Sequence, residues 1–336
     1  MVTWDRLGEL RLVIESSATE TLALDVGWMR KTTLVALRGA GEEGVGEDVT
    51  YDADEHDRFP TLELGGDWTL QSFSRHLDGI SLFAAPPQQD AYRDYRRWAV
   101  ESAALDLALR QAGTTLGKQL GRESRAVGFV VSTRSDGLER WVALQPGIRF
   151  KLDPTPEWTD ELIAQLRAWG NVEVTDLKGA YHGTSVDNPA DPELYRRVAE
   201  GLPDTWIEDP ALTPETDAVL EPHRARITWD APIHSWADVE ALPFAPRCLN
   251  SKPSRFGTLE RLFEFYDRCA DAGIGLYGGG QFELGPGRGQ IQLLASLFHP
   301  DTSNDVAPGA YNEGGPRSGL PASPLAIAAG PGFRAA

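Results

Sequence analysis

Two patterns of apolar and polar residues divide the chain near residue 120. Before that point, partly alternating apolar runs at 9–15, 21–38 and 45–51 predict antiparallel strands, with the glycine-rich GAGEEG as a hairpin turn. A helical pattern runs from Asp90 to Gly113, with apolar and small residues on one face and the glycine as a C-cap. This part of the chain is therefore predicted to be an α+β unit.

After residue 125 the pattern changes to strands that alternate with helices. Seven runs predict the strands, at 126–133, 148–153, 171–177, 205–209, 226–230, 247–252 and 274–283. Alternating strands and helices form parallel sheets with right-handed crossovers, and seven or eight such units favour a closed barrel over an open sheet. The links at 134–147 and after Glu208 are predicted to be too short for full helices. An eighth strand is expected after His299, at no fixed position.

Charged residues stand at the ends of five successive predicted strands: Lys151, Asp176, Glu208, Asp230 and Lys252. Functional groups of such barrels lie at the carboxyl ends of the strands, so these side chains are expected to share one rim. Three carboxylates suit Mg²⁺, which prefers hard oxygen ligands. A lysine beside a divalent cation is pushed toward its neutral form and can act as a base. The alternatives are capping carboxylates and structural salt bridges.

The net charge of −18 narrows the range of partners. Nucleic acids and anionic membrane surfaces bind proteins through Lys and Arg side chains, so the chain is expected to bind neither of them. Cys248 and Cys269 form no metal-spaced pair and are expected to be free thiols in a reducing, cytoplasmic compartment. The N-terminal residues show no signal-peptide pattern, and no run approaches the roughly 20 apolar residues of a membrane span. Homo-oligomer formation stays open.

The motifs and their order resemble the enolase superfamily, within it the muconate cycloisomerase-like (mandelate racemase/muconate lactonizing enzyme) group. GWMRKTTLVALR and GEEGVGEDV look like the family's capping domain, and AVESAALDLALRQAGTTLGKQLG looks like its linking helices. RFKLD resembles the Lys-x-Lys strand end, with Arg149 in the first position and Lys151 in the place of the base. WIEDP resembles the second metal carboxylate, and NSKPSRFG the second lysine. YGGGQFELGPGRG resembles the glycine-rich seventh strand, with Glu283 at the acidic position.

The resemblance implies a modified TIM barrel of the (β/α)7β type behind an N-terminal α+β capping domain. The corresponding boundaries are 1–122 for the capping domain with its linking helices and 123–310 for the barrel. Residues 311–336 would be a C-terminal tail that packs on the capping domain.

The resemblance also implies a Mg²⁺-dependent enzyme that abstracts the α-proton of a small-molecule carboxylate substrate. The metal-stabilised enolate would then lead to racemisation or epimerisation, cycloisomerisation, or β-elimination of the o-succinylbenzoate synthase type. Lys151 and Lys252 would be the catalytic lysines, and the metal ligands would be Asp176, Glu208 and Asp230. The alternative is a non-catalytic enolase-like protein that binds a metabolite or a partner. A third option is a different metal-dependent barrel enzyme, such as an aldolase or a hydrolase.

Further residues are expected to contact the substrate. The capping loops would supply Trp28, Arg30 and Tyr51, and the barrel would supply Arg149, Lys178, Glu283, Asn304 and Asp305. Two of the strand ends depart from the family pattern. Lys178 stands where the family usually has Asn, and Ala231 stands where it usually has Glu. His182 and His234 are interpreted as loop residues without a role as base.

Overall fold

The antiparallel strands before residue 120 form a three-stranded sheet and a separate two-stranded pair. The computed structural model describes residues 2–134, 137–181, 186–328 and 330–334. The pairing order is β2-β3-β4 in the sheet, and β1 pairs with β5. The five strands are β1 (Arg11–Ile14), β2 (Ser16–Asp25), β3 (Met29–Gly39), β4 (Glu42–Asp48) and β5 (Gly66–Thr69).

The predicted hairpin turn lies between β3 and β4. Gly39 pairs with Glu42, which leaves Ala40 and Gly41 as a two-residue loop. Both loop residues have positive φ, at 51° and 80°. Positive φ at both central positions is the type I′ geometry that matches the twist of the flanking strands.

Four α-helices complete the capping domain, and most residues of the longest are buried. They are α1 (Ala53–Asp57), α2 (Leu70–Asp78), α3 (Ala91–Gln111) and α4 (Leu116–Leu120). Helix α3 packs closely against β4 because Gly44 and Gly46 carry no side chain. A Cβ on Gly46 would lie 2.0 Å from the carbonyl oxygen of Ala99. The Gly-x-Gly sequence of this strand is therefore required by the approach of the helix.

A ring of mostly parallel strands follows. Strands β6 to β10 pair in chain order, and β11 pairs with β12. The Asn250 amide donates to the Trp229 carbonyl oxygen at 3.0 Å and so connects β11 to the chain after β10. Asn304 bridges to Phe129 and Asp305 to Gly279, both in parallel, so these two residues take the place of the eighth strand. The seven strands are β6 (Val131–Thr133), β7 (Phe150–Leu152), β8 (Val172–Asp176), β9 (Trp206–Glu208), β10 (Ile227–Thr228), β11 (Cys248–Ser251) and β12 (Gly275–Gly278).

One helix follows each of the seven strands, which confirms the predicted (β/α)7β order. The helices are α5 (Leu138–Leu144), α6 (Asp160–Trp169), α7 (Pro192–Gly201), α8 (Pro214–Leu220), α9 (Trp236–Glu240), α10 (Leu259–Ala272) and α11 (Pro286–Phe298). Both links that were predicted to be too short for a helix contain one of seven residues. In the second link, Thr213 forms a capping box with Thr216 and Pro214 stands at the first turn. This capping starts a helix in a segment that looks like a polar loop.

The C-terminal segment contacts both parts of the fold. Tyr311 packs on Phe129 and Trp141 of the barrel. Further along, the Phe333 amide and the Arg334 guanidinium both donate to the buried carboxylate of Asp106 in α3. Within the described part of the chain, no helix combines the length and the apolar character needed to cross a membrane.

Candidate metal and proton-transfer site

The five charged residues at the predicted strand ends lie together at the carboxyl ends of the barrel strands. Lys151 lies in β7, and Asp176 and Glu208 end β8 and β9. Asp230 follows β10 by two residues, and Lys252 follows β11 directly. No side chain of the five is more than 9% exposed. Charges buried to this extent require partners of opposite sign.

The Lys151 ammonium lies between two carboxylates. It donates to Oε1 of Glu208 and lies 3.1 Å from Oδ2 of Asp176. Oδ2 of Asp305 is 4.0 Å away. Burial alone would lower the pKa of Lys151, but the charges of Asp176 and Glu208 raise it well above its ordinary value. With these partners, Lys151 is a cation rather than a base.

Asp176 has a second cationic partner in Lys178. The Lys178 ammonium donates to Oδ2 of Asp176, and its backbone N–H donates to Oδ1 at 3.1 Å. Burial would raise the pKa of Asp176, but Lys151 and Lys178 hold it well below its ordinary range. Lys178, predicted as a substrate contact, therefore forms an ion pair with a predicted metal ligand.

Glu208 is held by a tyrosine that the sequence pattern did not reveal. Tyr277, in β12, donates its hydroxyl to Oε2 of Glu208. Burial, followed by the charge of Glu208, raises the pKa of Tyr277 well above its usual value, so the phenol remains a donor. The pKa of Glu208 is itself raised, mainly by burial, although Lys151 opposes the shift. A tyrosine inside an apolar strand carries no charge signal, and only its inward register indicates this role.

Asp230 accepts from three side chains. Lys252 Nζ lies 2.6 Å from Oδ2, Arg255 Nη1 donates to Oδ1 at 2.8 Å, and the Tyr181 hydroxyl donates to Oδ2 at 3.0 Å. Burial opposes ionisation, but Arg255 and Lys252 hold the pKa of Asp230 well below its ordinary range. Arg255 was not predicted, although it follows Lys252 by three residues. The 3-10 helix over Pro253–Phe256 brings its guanidinium back to the same carboxylate.

A further carboxylate, Asp209, lies beside the predicted ligands. Its oxygens accept the backbone N–H groups of Asp230 and Ala231 at 2.8 and 2.9 Å. Burial and the nearby charge of Asp230 raise the pKa of Asp209 to about 7. One oxygen each of Asp176, Glu208 and Asp209 lies within 4.8 Å of the others. This group shares two members with the predicted ligand set, and Asp209 stands where Asp230 was expected.

Both candidate catalytic lysines open onto one cavity of about 220 Å³. Its wall combines capping-domain, barrel and C-terminal residues. The predicted residues in this wall are Tyr51, Lys151, Lys178, Lys252 and Asp305. The polar or aromatic residues that sequence reasoning missed are Ser132, Phe282, Arg288, Tyr311 and Asn312.

Arg288 is the cationic member of the wall that the predictions missed. It lies in the first turn of α11, where the helix dipole disfavours a positive charge. Glu283 compensates, with Oε2 at 2.9 Å from Nη2 of Arg288. Gly280 leaves the space for this pair, since a Cβ there would lie 2.9 Å from Nη1. Glu283, predicted as a substrate contact, thus positions the guanidinium that lines the cavity.

Two domain models, described as the N-terminal and C-terminal domains of unknown function DUF8230, match this sequence. They match residues 5–119 and residues 123–313, so together they span both parts of the fold. The chain belongs to the DUF8230 family. Among curated proteins, the DUF8230 chain is similar to an o-succinylbenzoate synthase of Geobacillus kaustophilus, at 29% identity over 229 residues. That match covers 63% of this chain, which thus spans 59% of the length of the synthase.

Solved structures resemble the DUF8230 chain over most of its length. A dipeptide epimerase from Methylococcus capsulatus, complexed with a Mg ion, superposes with a TM-score of 0.65 at 21% identity, covering 87% of this chain and 89% of that one. A muconate cycloisomerase from Pseudomonas fluorescens gives 0.65 at 20% identity, covering 88% and 87%. These likenesses show that the fold is that of the enolase superfamily, and they confirm the resemblance and the fold class drawn from the motifs.

The donor set of the DUF8230 chain fits a hard divalent cation. Asp176, Glu208 and Asp209 are fully buried and supply only carboxylate oxygens, which Mg²⁺ prefers. The ammonium groups of Lys151 and Lys178 already contact Oδ2 of Asp176. Positive charge is therefore needed at this point, because buried carboxylates without a counter-ion are strongly disfavoured.

Arg149 lies away from this site, contrary to its predicted role as a substrate contact. Its guanidinium is half exposed and pairs with Glu173 at 2.6 Å. It also reaches the carbonyl oxygen of Gly170, before the start of β8. Arg149 precedes the first residue of β7 and is half exposed, whereas Lys151 lies inside β7 and is buried, so the two side chains face different surroundings. The Lys-x-Lys resemblance therefore holds for one of its two positions.

Arg30 and Asn304, predicted as substrate contacts, lie outside the wall of this cavity and bind backbone groups. Arg30 is fully buried and donates to four carbonyl oxygens, two in residues 49–50 and two in residues 281–282. It thereby joins a capping loop to the barrel. Asn304 is fully buried, and its side chain holds the backbone of Gly278 and Gly128 at the barrel closure.

Trp28 and the two histidines lie at the edge of the site or beyond it. Trp28 is 45% exposed and contacts the rings of Tyr51 and Phe282, both in the cavity wall. Trp28 thus borders the mouth without lining the cavity. His234 lies in the loop before α9, with Nδ1 3.1 Å from the carbonyl oxygen of Arg255. His182 lies outside the described residues.

Proposed function

We propose that the protein is a Mg²⁺-dependent enzyme that removes the α-proton of a small-molecule carboxylate and then eliminates water, as an o-succinylbenzoate synthase does. The observation that carries the proposal is the position of Lys151 and Lys252, which line one cavity beside a cluster of buried carboxylates. Similarity to the synthase of Geobacillus kaustophilus supports elimination over racemisation or cycloisomerisation.

Asp176 and Glu208 would hold the metal, with Asp209 or Asp230 as the third carboxylate. Asp230 already accepts from Lys252, Arg255 and Tyr181, whereas Asp209 accepts only backbone N–H groups among the contacts described above. The bound cation would supply fixed positive charge where negative charge develops on the substrate carboxylate.

Lys151 is the proposed base. Its pKa is raised by Asp176 and Glu208, and balancing the charge of these carboxylates removes that effect and frees a neutral amine. The amine takes the α-proton, the bond to the β-hydroxyl breaks, and the same proton leaves with the hydroxyl as water. Atoms and charge balance, and Lys151 returns to its starting state. The Lys252 ammonium, paired with Asp230, would stabilise the negative charge of the substrate.

Arg288 supports a substrate with a second carboxylate. Its guanidinium lines the same cavity as the two lysines and is held by a single carboxylate, Glu283. Arginine suits the planar, bidentate recognition of carboxylates. The buried free thiols of Cys248 and Cys269 fit the proposed cytoplasmic location, where thiols stay reduced.

A substrate screen tests the proposal. Cyclohexadiene-type hydroxy acids, N-acylamino acids and dipeptides are incubated in D₂O with Mg²⁺, and proton exchange and product are followed by NMR. We expect an aromatic product from the first class, lost in Lys151→Ala and in Lys252→Ala. Exchange without elimination would indicate racemase or epimerase activity. Tight binding with neither exchange nor product would favour the non-catalytic alternative.

A separate measurement tests the metal site. Mg²⁺ is expected to raise the melting temperature of the wild type and to have no effect on Asp176→Ala or Glu208→Ala. Glu173→Ala is the matched control, since Glu173 lies in the same strand as Asp176 but pairs with Arg149 away from the cavity. A wild type that Mg²⁺ does not stabilise would contradict the proposed metal dependence.

A further inference from the structure

Lysine is rare in this chain, and three of the five lysines lie in the candidate site. The sequence contains 27 arginines and only five lysines. Lys151, Lys178 and Lys252 all line the cavity, while Lys31 and Lys118 lie elsewhere, in β3 and α4. An ammonium is a compact point charge, whereas a guanidinium is a planar fork, so the two residues are not interchangeable in a tight ionic site. The proposed function uses two of the three lysines and leaves Lys178 unexplained.

The backbone at Lys178 has a conformation that lysine rarely adopts. Its φ is +56°, in the left-handed region, where Asn and Gly are far more common than other residues. Two flanking backbone hydrogen bonds hold this conformation. The Leu177 N–H donates to the carbonyl oxygen of Glu208, and the Gly179 N–H donates to the carbonyl oxygen of Asp209. A residue that stands against a local backbone preference, beside a cluster of charges, indicates a function.

The Lys178 ammonium occupies an oxygen that the proposed metal site needs. It donates to Oδ2 of Asp176, the same oxygen that lies 3.1 Å from Lys151 Nζ. A divalent cation on this oxygen would face the Lys178 charge at ion-pair distance. Two positive charges at such a short distance repel each other strongly in a buried site. The cation and the Lys178 ammonium therefore cannot both contact Asp176 in the present arrangement.

A second acceptor for Lys178 is already in place. Oδ1 of Asp153 lies 3.6 Å from Lys178 Nζ. This oxygen is buried and has no hydrogen-bond partner among the described residues. The ring of Tyr181 lies under the same ammonium, with its centroid 5.1 Å away. A small rotation of the Lys178 side chain therefore exchanges Asp176 for Asp153 without exposing the charge to an apolar surface.

We propose that Lys178 is a built-in competitor for Asp176, which lowers the affinity of the site for divalent cations and moves to Asp153 when a cation binds. The proposal rests on the proposed metal-dependent function and adds a mode of control to the same site. The metal-free protein is kept neutral at Asp176 by its own lysine. Occupancy then requires a Mg²⁺ concentration high enough to displace that lysine.

Calorimetric titration with Mg²⁺, supported by melting temperatures, tests the proposal without an activity assay. Lys178→Asn removes the competing charge and suits the left-handed backbone. We expect its Mg²⁺ affinity to rise by between about 5-fold and 150-fold, the usual range for coupled binding events. Lys118→Asn is the matched control, because it removes one positive charge at an exposed site in α4. Lys178→Gln serves in the same comparison if the asparagine variant does not fold.

A double-mutant cycle separates the second acceptor from a general charge effect. Asp153→Asn is expected to weaken Mg²⁺ binding in the wild type, because Lys178 loses its alternative partner. In the Lys178→Asn background the same change should have a much smaller effect. An equal effect in both backgrounds would show that Asp153 acts on the cation directly and would overturn the switch.

The remaining outcomes are also decisive. Affinity in Lys178→Asn that is equal to or below that of Lys118→Asn overturns the competition while leaving the metal site intact. Absence of Mg²⁺ binding in the wild type and in every variant overturns the proposed function and this inference together.

Discussion

Glu47 joins the capping domain to the barrel loop that lines the cavity, and Glu47→Gln should weaken this joint. Glu47 lies in β4 and is fully buried. Its carboxylate accepts the backbone N–H groups of Leu284, Gly285 and Gly287 at 2.6, 3.0 and 2.9 Å. These donors precede or open α11, so the carboxylate also complements the positive end of the helix dipole.

The size of the destabilisation follows from the backbone N–H groups whose hydrogen bonds glutamine cannot accept. Its single oxygen replaces one carboxylate oxygen, and its NH₂ group faces backbone N–H groups in place of the other. A buried donor left without an acceptor costs about 1–3 kcal/mol. Loss of the charge at the helix N-terminus adds about 0.3–1 kcal/mol. Burial, followed by the charge of Glu283, raises the pKa of Glu47, so the neutral amide relieves part of this loss. We expect a net destabilisation of about 1–3 kcal/mol.

Calorimetric melting and amide hydrogen exchange measure the effect. Exchange should accelerate most in residues 281–288, which carry Phe282 and Arg288 into the cavity wall. Glu42→Gln, an exposed change at the start of the same strand, is the control. Gly287→Ala should act similarly to Glu47→Gln, because its Cβ would lie 2.8 Å from Oε2 of Glu47. Equal melting temperatures and exchange in Glu47→Gln and Glu42→Gln would refute the reasoning.

Two further predictions concern solution conditions. Burial lowers the pKa of His299 from 6.5 to about 4, so the unfolded chain binds the extra proton first and stability falls as pH drops from 6.5 to 4. The loss of unfolding free energy should reach about 3 kcal/mol. His299→Gln should flatten the dependence of the melting temperature on pH between 6.5 and 4. An unchanged dependence would contradict the role given to His299. The net charge of −18 predicts that raising KCl from about 0.1 M to about 1 M increases the melting temperature, because screening weakens the repulsion among surface carboxylates; a decrease would oppose this view.

The strand ends could be predicted because the pattern there is local. An apolar run followed by a charged residue specifies both the strand and the rim at which that residue lies. Lys151, Asp176 and Glu208 follow this rule directly. The barrel order could be predicted for the same reason, since the alternation of strands and helices recurs along the chain. The second of the two links that seemed too short contains a helix because capping at Thr213 begins one in a polar segment.

The partners of these residues could not be predicted, because they come from distant parts of the chain. Tyr277 reaches Glu208 across 69 residues, and Tyr181 reaches Asp230 across 49. Arg149 lies just outside β7 and pairs with Glu173 of the neighbouring strand, although it stands two positions before Lys151 in the same run. The buried Arg30 donates hydrogen bonds to carbonyl oxygens that only the assembled domains bring together. Polar loop residues that line the site can thus be distinguished from those that hold the fold together only once the tertiary structure is known.

The formal charge of the cluster argues for an order of binding. Five carboxylates contact four cationic side chains, Lys151, Lys178, Lys252 and Arg255, and a sixth, Asp209, accepts the backbone N–H of Asp230. The six are Asp153, Asp176, Glu208, Asp209, Asp230 and Asp305.

The difference between four positive and six negative charges is −2, which one divalent cation balances. Burial first, and neighbouring carboxylates next, raise the pKa of Glu208 and Asp209, as expected where negative charge is in excess. A carboxylate substrate would meet stronger repulsion from this cluster before the cation is bound than afterwards. Binding of the metal and of the substrate should therefore be mutually reinforcing, each raising the affinity for the other by the same factor. Substrate affinity that is the same with and without Mg²⁺ would show that the excess charge does not act on the substrate.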